Sequence, residues 1–510
     1  MATLEKEKRL SESLLWKLQT NAYRQFGPEA WSKKQVPFYI TSNPLIAKQF
    51  AHVILGYIRD CLKPEAKTPI DPSETLYLFD LGAGSGRLSY LLLKHLLHLL
   101  DQVFPRTLNL CYVMTDMVES TIESWQQHPL LQPFFENKQM DCACYCHDHQ
   151  SPLQLIRSGK MLTQETVRNP IILIGTYYFD TIPQDLFRAN NGQIEEGRIT
   201  ITVQDKDEAI EKLDPSLIIK CKSRYDYFPI RQVDQYYPQQ PKLNAILLEY
   251  AQLFAHAPFL FPIGGFTSLE YFSALSRGRL LLLAGDQGVC TKEQIAEWGE
   301  PSIFKHSSFS MAVSYHAIAR YFRNEGGAGL LTTFSAPKFV IISGILGGSA
   351  DHFPETRLAF TENIDAFEPL DYWQLTNLTP AEVEKLPLKN LLGFLKLGRW
   401  DPINFHLFFP SIRQKLPSEK KSVQKQFLSA IHRVWEQFYS VDPGEGDFAM
   451  NLGVLLFEME EYSDALLFFQ RALEMGGENK ILLMNLSKCC RVLGDDSAAK
   501  TYFDQAQSLP

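Results

Sequence analysis

The segment LYLFDLGAGSGRLSYLLLKHL joins an acidic residue, a run of glycines and an amphipathic pattern in an order that could hold a ligand. Asp80 ends an apolar run, and Gly82, Gly84 and Gly86 follow it at alternate positions. Glycine lets the backbone turn tightly and lets a ligand approach, and the free amides of the following helix favour negative charge. The pattern therefore predicts a ligand-binding turn at the carboxyl end of a strand.

The spacing of these glycines bears on which ligand binds. A dinucleotide-binding turn needs G-x-G-x-x-G, whereas the third glycine comes one residue earlier here, giving D-x-G-x-G-x-G. This pattern resembles motif I of the class I methyltransferases, and the resemblance implies S-adenosylmethionine as the cofactor. It also implies that a carboxylate in the position of Asp80 lies beside the amino-acid part of the cofactor. The residues that would line the other contacts are Gly82, Ala83, Gly84 and Gly86.

Two more acidic residues follow later strands. The run LNLCYVMT leads into Asp116 and Met117, and in this class of enzyme an acid at the end of the second strand binds the ribose hydroxyls. Asp116 could also cap the helix that MVESTIESWQ predicts, and one carboxylate can serve both roles. By the same resemblance Asp148, just past the third strand, would face the adenine, with an ordinary loop acid as an equal alternative.

The segment CACYCHDH concentrates thiols and imidazoles. Structural zinc sites use C-x₂₋₄-C turns that wrap the ion, whereas Cys142, Cys144 and Cys146 alternate in a way that places all three on one face of a strand. Free cysteine packs as a small apolar residue. We therefore predict a buried strand here and no metal site.

Three segments together resemble the MidA family, whose members include a mitochondrial arginine methyltransferase that helps assemble respiratory complex I. The resemblance spans roughly residues 35 to 350 and is carried by PFYITSNPLIAKQF, YYFDTIPQDLFR and RLLLLAGDQG. Asp180, Pro183 and Phe187 match the family's FFDALPxxxF pattern, and Asp286 with Gly288 matches the turn after its fifth strand.

The resemblance implies that Asp180, helped by Tyr177, acts on the methyl acceptor. The family has Asn-Glu before its FFD, but Thr176 and Tyr177 stand there in this chain. A guanidinium stays protonated and needs carboxylates to orient it, so this change weakens the case for arginine and leaves a neutral or aromatic-stacked acceptor open. If the acceptor must lose a proton first, the candidate bases are Asp180 and His316, although the apolar helical pattern SYHAIARYF favours a packing role for His316.

The elements that must position these residues alternate between short apolar runs and helical patterns, which is typical of βαβ units in a parallel sheet. The predicted fold is therefore α/β, with a Rossmann-like sheet and flanking helices. An amphipathic helix is predicted from Leu88 to Leu100. The predicted strands are Leu76 to Phe79, Leu108 to Met114, Met140 to Cys146, Ile171 to Ile174, Leu280 to Ala284 and Phe339 to Ile342.

Helical patterns alone follow from about Thr379, and a 34-residue period is visible. The matched pairs are Leu452 with Leu486, Gly453 with Ser487, Ala465 with Ala499, Phe469 with Phe503, and Ala472 with Ala506. These offsets resemble tetratricopeptide (TPR) repeats, which implies an all-α domain that binds a protein partner. The alternative is that these helices only buttress the enzyme.

The predicted domains are a helical lead-in over residues 1–70, a catalytic domain over 71–350, a linker over 351–378 and the TPR-like domain over 379–510. An insertion at about 190–275 is rich in Tyr, Phe, Pro and Gln, and is either an aromatic-packed connection or a substrate-covering lid.

Bulk composition narrows the class of partner. The 510 residues carry a net charge of -8, so the chain lacks the basic excess that binding to nucleic acid exploits. No apolar run is long enough to span a bilayer, and the start of the sequence resembles neither a signal nor a transit peptide. Nine scattered cysteines favour a reducing compartment. We expect a cytoplasmic protein.

The leading hypothesis is a methyltransferase whose TPR-like domain holds part of a protein substrate. A small-molecule methyltransferase is one alternative. Another is an assembly or scaffold protein that binds S-adenosylmethionine without turnover, and a dinucleotide oxidoreductase is least favoured because of the glycine spacing. The acceptor, the TPR partner and the oligomeric state are left open.

Overall fold

The computed structural model of the chain describes residues 2–33, 35–36, 39–104, 108–204, 213–333, 339–441 and 446–509. Pro37 and Phe38, which belong to the predicted leading segment of the MidA-like region, lie outside the described residues. The chain forms two compact units. One comprises Met1–Ser42 and Ile46–Leu370, and the other comprises Asn43–Leu45 and Asp371–Pro510.

The strands all belong to the first unit. They are β1 Ala2–Arg9, β2 Thr75–Asp80, β3 Asn109–Asp116, β4 Met140–Cys144, β5 Leu153–Gln154, β6 Met161–Leu162, β7 Ile171–Thr176, β8 Asp185–Asn190, β9 Gln193–Val203, β10 Lys222–Pro229, β11 His256–Phe261, β12 Leu280–Asp286, β13 Gly288–Val289, β14 Ile303–Lys305, β15 Phe309–Met311, β16 Val313–Ser314, β17 Ala328–Leu331 and β18 Val340–Leu346.

The helices occur in both units. They are α1 Leu14–Phe26, α2 Glu29–Ser32, α3 Pro44–Cys61, α4 Arg87–Val103, α5 Glu119–Gln127, α6 Gln132–Glu136, α7 Leu217–Lys220, α8 Pro241–Leu253, α9 Ile263–Leu275, α10 Lys292–Trp298, α11 Tyr315–Asn324, α12 Pro354–Phe360, α13 Pro369–Thr376, α14 Pro380–Lys385, α15 Leu388–Leu397, α16 Pro402–Lys415, α17 Lys421–Glu436, α18 Asp447–Glu458, α19 Tyr462–Gly476, α20 Lys480–Val492 and α21 Asp496–Ser508.

The central sheet has seven strands in the order β17-β18-β12-β7-β2-β3-β4. Its middle strands run parallel, from β4 through β3, β2 and β7 to β12. Residues of β7 and β12 are buried almost without exception, because both faces of a parallel sheet are covered. The prediction of an α/β fold is confirmed.

One edge of this sheet differs from the prediction of a parallel sheet. The strand predicted at Phe339 to Ile342 forms β18, which runs antiparallel to both β12 and β17. Strands β17 and β18 are consecutive in the chain and pair directly, so the second must reverse direction, as in a hairpin.

Strands β9, β10 and β11, which lie in the predicted insertion, belong to a second sheet. Strands β1, β9, β8 and β11 pair in that order, β10 adds to β9, and all pairs are antiparallel. Aromatic side chains fill its inner face, where the Phe187 ring lies 5.3 Å from that of Tyr236 and 5.7 Å from that of Phe261.

The prediction of a helical lead-in is wrong for its first residues. Ala2–Arg9 form β1, whose alternate residues are exposed and which pairs with β9. The alternating Glu and Lys residues gave no sign of this strand, because they form no apolar face.

The prediction of a linker over residues 351–378 also needs correcting at α12, which packs into the first unit. There the Asp60 carboxylate accepts hydrogen bonds of 2.9 Å from the backbone N–H and the hydroxyl of Thr356.

The second unit is helical throughout its described residues. Helix α18 packs against α19 and α20 against α21, and a Cβ added at Gly453 would lie 2.6 Å from the Phe469 ring. Ala465, Ala472 and Phe469 are buried, whereas Phe503, the predicted equivalent of Phe469, is 37% exposed. The assignment of these helices to TPR repeats stays a prediction.

Among the described residues of the chain, no helix combines the length and apolar content needed to cross a bilayer.

Candidate functional site

The glycine turn, residues 80–86, links the end of β2 to the start of α4. Gly82, Gly84 and Gly86 have φ values of 63°, 56° and 77°, a region that side chains rarely adopt, and Gly86 is the N-cap of α4. The backbone N–H of Ala83 donates to the Thr115 carbonyl at 2.9 Å, which ties the turn to β3. A Cβ at Gly84 would lie 2.8 Å from the Trp31 indole. The turn therefore requires glycine for both conformation and space.

A cavity opens above this turn, at the carboxyl ends of the parallel strands. It holds about 1350 Å³ of empty space, part of it open to solvent. The predicted site residues that line it are Asp80, Gly82, Ala83, Gly84, Asp116, Met117, Tyr177 and Asp180. Gly86 and Asp148 do not line it. One cavity thus joins the predicted cofactor side to the predicted acceptor side.

Asp80 is fixed in place by two hydroxyl groups. Its Oδ2 accepts hydrogen bonds from Ser89 Oγ at 2.6 Å and from Tyr112 Oη at 2.8 Å, and the residue is only 2% exposed. Burial raises the pKa of Asp80 to about 6, while the two hydrogen bonds limit the rise. Such an acid is sensitive to a positive charge brought next to it, which would favour its ionised form.

Asp116 caps a turn and lines the cavity at the same time. Its Oδ1 accepts the backbone N–H of Val118 at 3.0 Å. Burial raises the pKa of Asp116 to about 7, and the N–H groups of Val118, Met117 and Gly84 oppose that rise. The prediction that Asp116 caps the following helix is wrong, because the N-cap of α5 is Val118 and Asp116 instead closes a turn just before it.

The third strand brings different residues to the cavity from those expected. Asp148 is exposed, and its neighbours Cys146 and His147 line the cavity instead. The prediction of a buried strand is right for Cys142 and wrong for Cys144, which is exposed where β4 ends. Within the described residues no group of three or more His, Cys, Asp or Glu is placed to hold a metal ion.

The loop after β7 carries Tyr177 and Asp180, the residues predicted to face the methyl acceptor. Tyr177 has a φ of 51°, which is strained for a bulky residue, and its N–H donates to the Gly285 carbonyl at 3.0 Å. Tyr178 lies deeper, and its hydroxyl shares a hydrogen bond of 2.9 Å with Ser268 Oγ. Asp180 is 4% exposed, and its carbonyl oxygen accepts the N–H of Met311 at 3.0 Å.

Behind Asp180 lies a second carboxyl group, Asp286, at the end of β12. Asp286 is fully buried, and the hydroxyl of Tyr315 donates to its Oδ2. Burial raises the pKa of Asp180 well above its ordinary value, and the charge of Asp286 raises it further. We call Asp180 and Asp286 the carboxyl pair. Sequence reasoning placed Asp286 only in a turn, although an acid that ends a strand, as Asp80 does, was the available signal.

The N-terminal segment closes one side of the cavity, which sequence reasoning missed. Tyr23 on α1 and Trp31 on α2 line it, together with Thr41 and Ser42. Tyr23 is near enough to both Asp116 and Asp180 for their charges to raise its pKa, after burial as the main cause. No local pattern marks these residues, because only the tertiary fold brings them to the strand ends.

His316, the other candidate base, lies away from the cavity. Its Nδ1 and the Tyr250 hydroxyl are 2.6 Å apart, and His316 is 8% exposed. Burial lowers the pKa of His316 to about 4. This environment supports the packing role.

The fold and site define a mixed α/β protein with a glycine turn and buried acids around one cavity at the strand ends. No family profile matches the sequence, and no curated protein matches it. Two solved structures from Burkholderia thailandensis are similar. One is an uncharacterised protein of the COG1565 superfamily, with 13% identity and a TM-score of 0.37, covering 67% of this chain and 89% of that chain.

The other is a COG1565 superfamily member with bound S-adenosyl-homocysteine. Its identity is 14% and its TM-score 0.36, and the match covers 62% of this chain and 80% of that chain.

Proposed function

We propose that this protein is an S-adenosylmethionine-dependent methyltransferase that acts on a protein substrate. The observation that carries the proposal is the single cavity that joins the glycine turn, Asp116 and Asp180. The residues predicted for the cofactor and those predicted for the methyl acceptor therefore face the same space.

The residues of the cofactor side fit this ligand. The Trp31 indole packs directly against the backbone of Gly84, so a side chain there would displace Trp31 from the cavity wall. Asp116, at the end of β3, would accept hydrogen bonds from the ribose hydroxyls, and Asp80 would balance the ammonium group. When bound, S-adenosylmethionine supplies a methyl group on a cationic sulfur. The protein then has to align the acceptor and exclude water, and alignment of this kind can contribute about 7 to 11 kcal/mol.

On the acceptor side, Asp180 would orient the acceptor and Tyr177 would flank it. Tyr23 and Trp31 would limit the access of water from the opposite wall. We further propose that the helical second unit holds part of the protein substrate, which its predicted TPR-like repeats support. A small-molecule methyltransferase and a scaffold that binds the cofactor without turnover are the competing outcomes of the experiments.

Calorimetric titration with S-adenosylmethionine tests the cofactor site. The variant Gly84→Ala should weaken binding by about tenfold or more, because the added methyl group meets Trp31 and the backbone has positive φ. Gly159→Ala is the matched control, since Gly159 has a φ of 69° but open space around it. Equal affinities for the two variants would contradict the placement of the cofactor.

Transfer of a labelled methyl group to lysate proteins tests turnover and substrate class. Labelling of polypeptides that requires Asp180 supports the protein methyltransferase. If the protein binds the cofactor and labels small molecules but no polypeptide, the small-molecule alternative is favoured. Binding without any transfer would favour the scaffold.

A further inference from the structure

The two members of the carboxyl pair differ in their surroundings. Asp180 lines the cavity, whereas Asp286 lies behind it and is fully buried. The Tyr315 hydroxyl donates to Asp286, and the backbone N–H groups of Phe179 and Asp180 also point at its carboxylate. The hydrogen bond from Tyr315 and the nearness of these amides favour the anion of Asp286.

Asp180 has much less support for a negative charge. Its Oδ1 is buried without a hydrogen-bond partner among the described residues, as is Oδ1 of Asp286. The titratable groups that face the pair are the phenols of Tyr23, Tyr177 and Tyr315, and no Lys or Arg within the described residues perturbs either carboxyl. Two negative charges in this buried place are unfavourable, so the pair retains one proton, and that proton belongs on Asp180.

We propose that Asp286 is the positioning residue of the transfer step: it takes the proton of Asp180 while Asp180 takes a proton from the methyl acceptor. This inference deepens the proposed function and rests on it. It also requires an acceptor with an N–H or O–H proton to give up, because Asp180 points its own proton at Asp286 and can only accept a hydrogen bond from the methyl acceptor.

The atoms balance in this step. The lone pair of the acceptor forms the new bond to the methyl carbon, and the electron pair of the broken carbon–sulfur bond stays on sulfur. The proton of the acceptor passes to Asp180, and the proton of Asp180 passes to Asp286. The pair then returns one proton to solvent through the open side of the cavity, which restores its starting state.

Infrared difference spectroscopy tests the location of the proton without any substrate. The spectrum of wild type minus that of Asp180→Asn, both at pH 7, should show the carbonyl band of a protonated carboxylic acid. The spectrum of the variant has to be subtracted because Asp80 and Asp116, whose pKa values are also raised, contribute bands of their own. A spectrum without this difference band would overturn the proposal even if the cofactor binds normally.

Two variants test the part played by Asp286. In Asp286→Asn the band of Asp180 should titrate at lower pH, because the neighbouring negative charge is gone. In Tyr315→Phe the anion of Asp286 loses a donor, so the pair should hold its proton to a pH about one unit higher. Tyr250→Phe is the matched control, since it removes a buried hydroxyl that bonds to His316 away from the pair.

The same variants separate this inference from the proposed function. Each should bind S-adenosylmethionine with an affinity within about twofold of wild type, while transfer to lysate proteins by Asp286→Asn falls about 100-fold. In Tyr315→Phe the acidic limb of the pH–rate profile should also move to higher pH, because an Asp286 without this donor more readily takes up the second proton that stops the relay. If wild type binds no cofactor, the proposed function fails and the acceptor step with it. Unchanged transfer and an unchanged pH profile in both variants, with normal cofactor binding, would overturn the role of Asp286 alone.

Discussion

Asp80 and Asp116 are carboxyl groups that the fold buries beside an open cavity. Each has a raised pKa because burial outweighs its hydrogen bonds. A stability cost of this kind is common where a site must receive a polar or charged ligand. At the residue scale, the structure therefore suggests that these acids serve a ligand rather than the stability of the fold.

The variant Asp116→Asn should be more stable than wild type at neutral pH, by roughly 1 to 3 kcal/mol. The folded pKa of about 7 lies above the unfolded value, so wild type loses stability as pH rises from about 4 to 7. The difference between the two proteins should thus be near zero at pH 4 and level off above pH 7. Chemical unfolding across this range measures it. Asp148→Asn is the control, since Asp148 is exposed and has no such cost, and equal gains in both variants would contradict the explanation.

Sequence reasoning found residues that act through a local pattern and missed those that act through the tertiary fold. The glycine turn and Asp116 were predicted because an acid or glycine directly follows an apolar run. Tyr23 and Trp31 carry no such signal, since a helical tyrosine or tryptophan in an N-terminal segment is ordinary. The location of these two residues at the strand ends is a property of the folded chain alone.

At the element scale, β1 holds the N-terminal segment against the second sheet. The Arg9 guanidinium bonds to both oxygens of Asp185, with Nε 2.9 Å from Oδ1, and lies over the rings of Tyr236 and Tyr237. The Tyr237 hydroxyl donates to Asp185 at 2.7 Å. This cluster anchors the segment that carries Tyr23 toward the cavity.

The variant Arg9→Met should destabilise β1 by about 2 to 4 kcal/mol, because the buried Asp185 would keep an unpaired charge. Hydrogen exchange should become faster across β1 and α1, and affinity for S-adenosylmethionine should fall. Arg9→Met combined with Asp185→Asn should recover part of the loss by removing that charge. Lys8→Met is the control, because Lys8 is exposed and its 3.9 Å ion pair with Glu12 contributes little. Faster exchange in both single variants would contradict a specific role for Arg9.

The central strands were predictable and the edges of the sheets were not. Strands β7 and β12 are continuous apolar runs, so the sequence identifies them as strands without knowledge of their partner strands. The direction of β18 depends on its pairing with β17, and β1 depends on a partner strand far away in sequence, as in the pairing of Ala2 with Val203. Local patterns do not carry such information.

At the scale of the whole molecule, the chain divides into an α/β unit that contains the cavity and a helical unit with its own core. The 34-residue period in the sequence relates α18 to α20, through Gly453 and Ser487, and α19 to α21, through Ala465 and Ala499. Polypeptide binding by the helical unit and a cytoplasmic location both stay predictions. Because each unit has its own core, a substitution that destabilises the helical unit can show whether activity in the α/β unit depends on it.

The variant Gly453→Ala should destabilise the helical unit by about 1 to 3 kcal/mol, since its Cβ would lie 2.6 Å from the buried Phe469 ring. Gly393→Ala is the matched control in the same unit. Gly393 lies within α15 with open space around it, so alanine there should stabilise the helix by up to about 1 kcal/mol.

If the helical unit holds the protein substrate, Gly453→Ala should raise KM for transfer to lysate proteins near its unfolding midpoint. It should leave the Kd for S-adenosylmethionine at the wild-type value, because the cofactor side of the cavity is built from the first unit alone. Thermal unfolding followed together with transfer kinetics makes the comparison. An unchanged KM at temperatures where hydrogen exchange shows α18 and α19 opening would mean that the helical unit has no part in substrate binding.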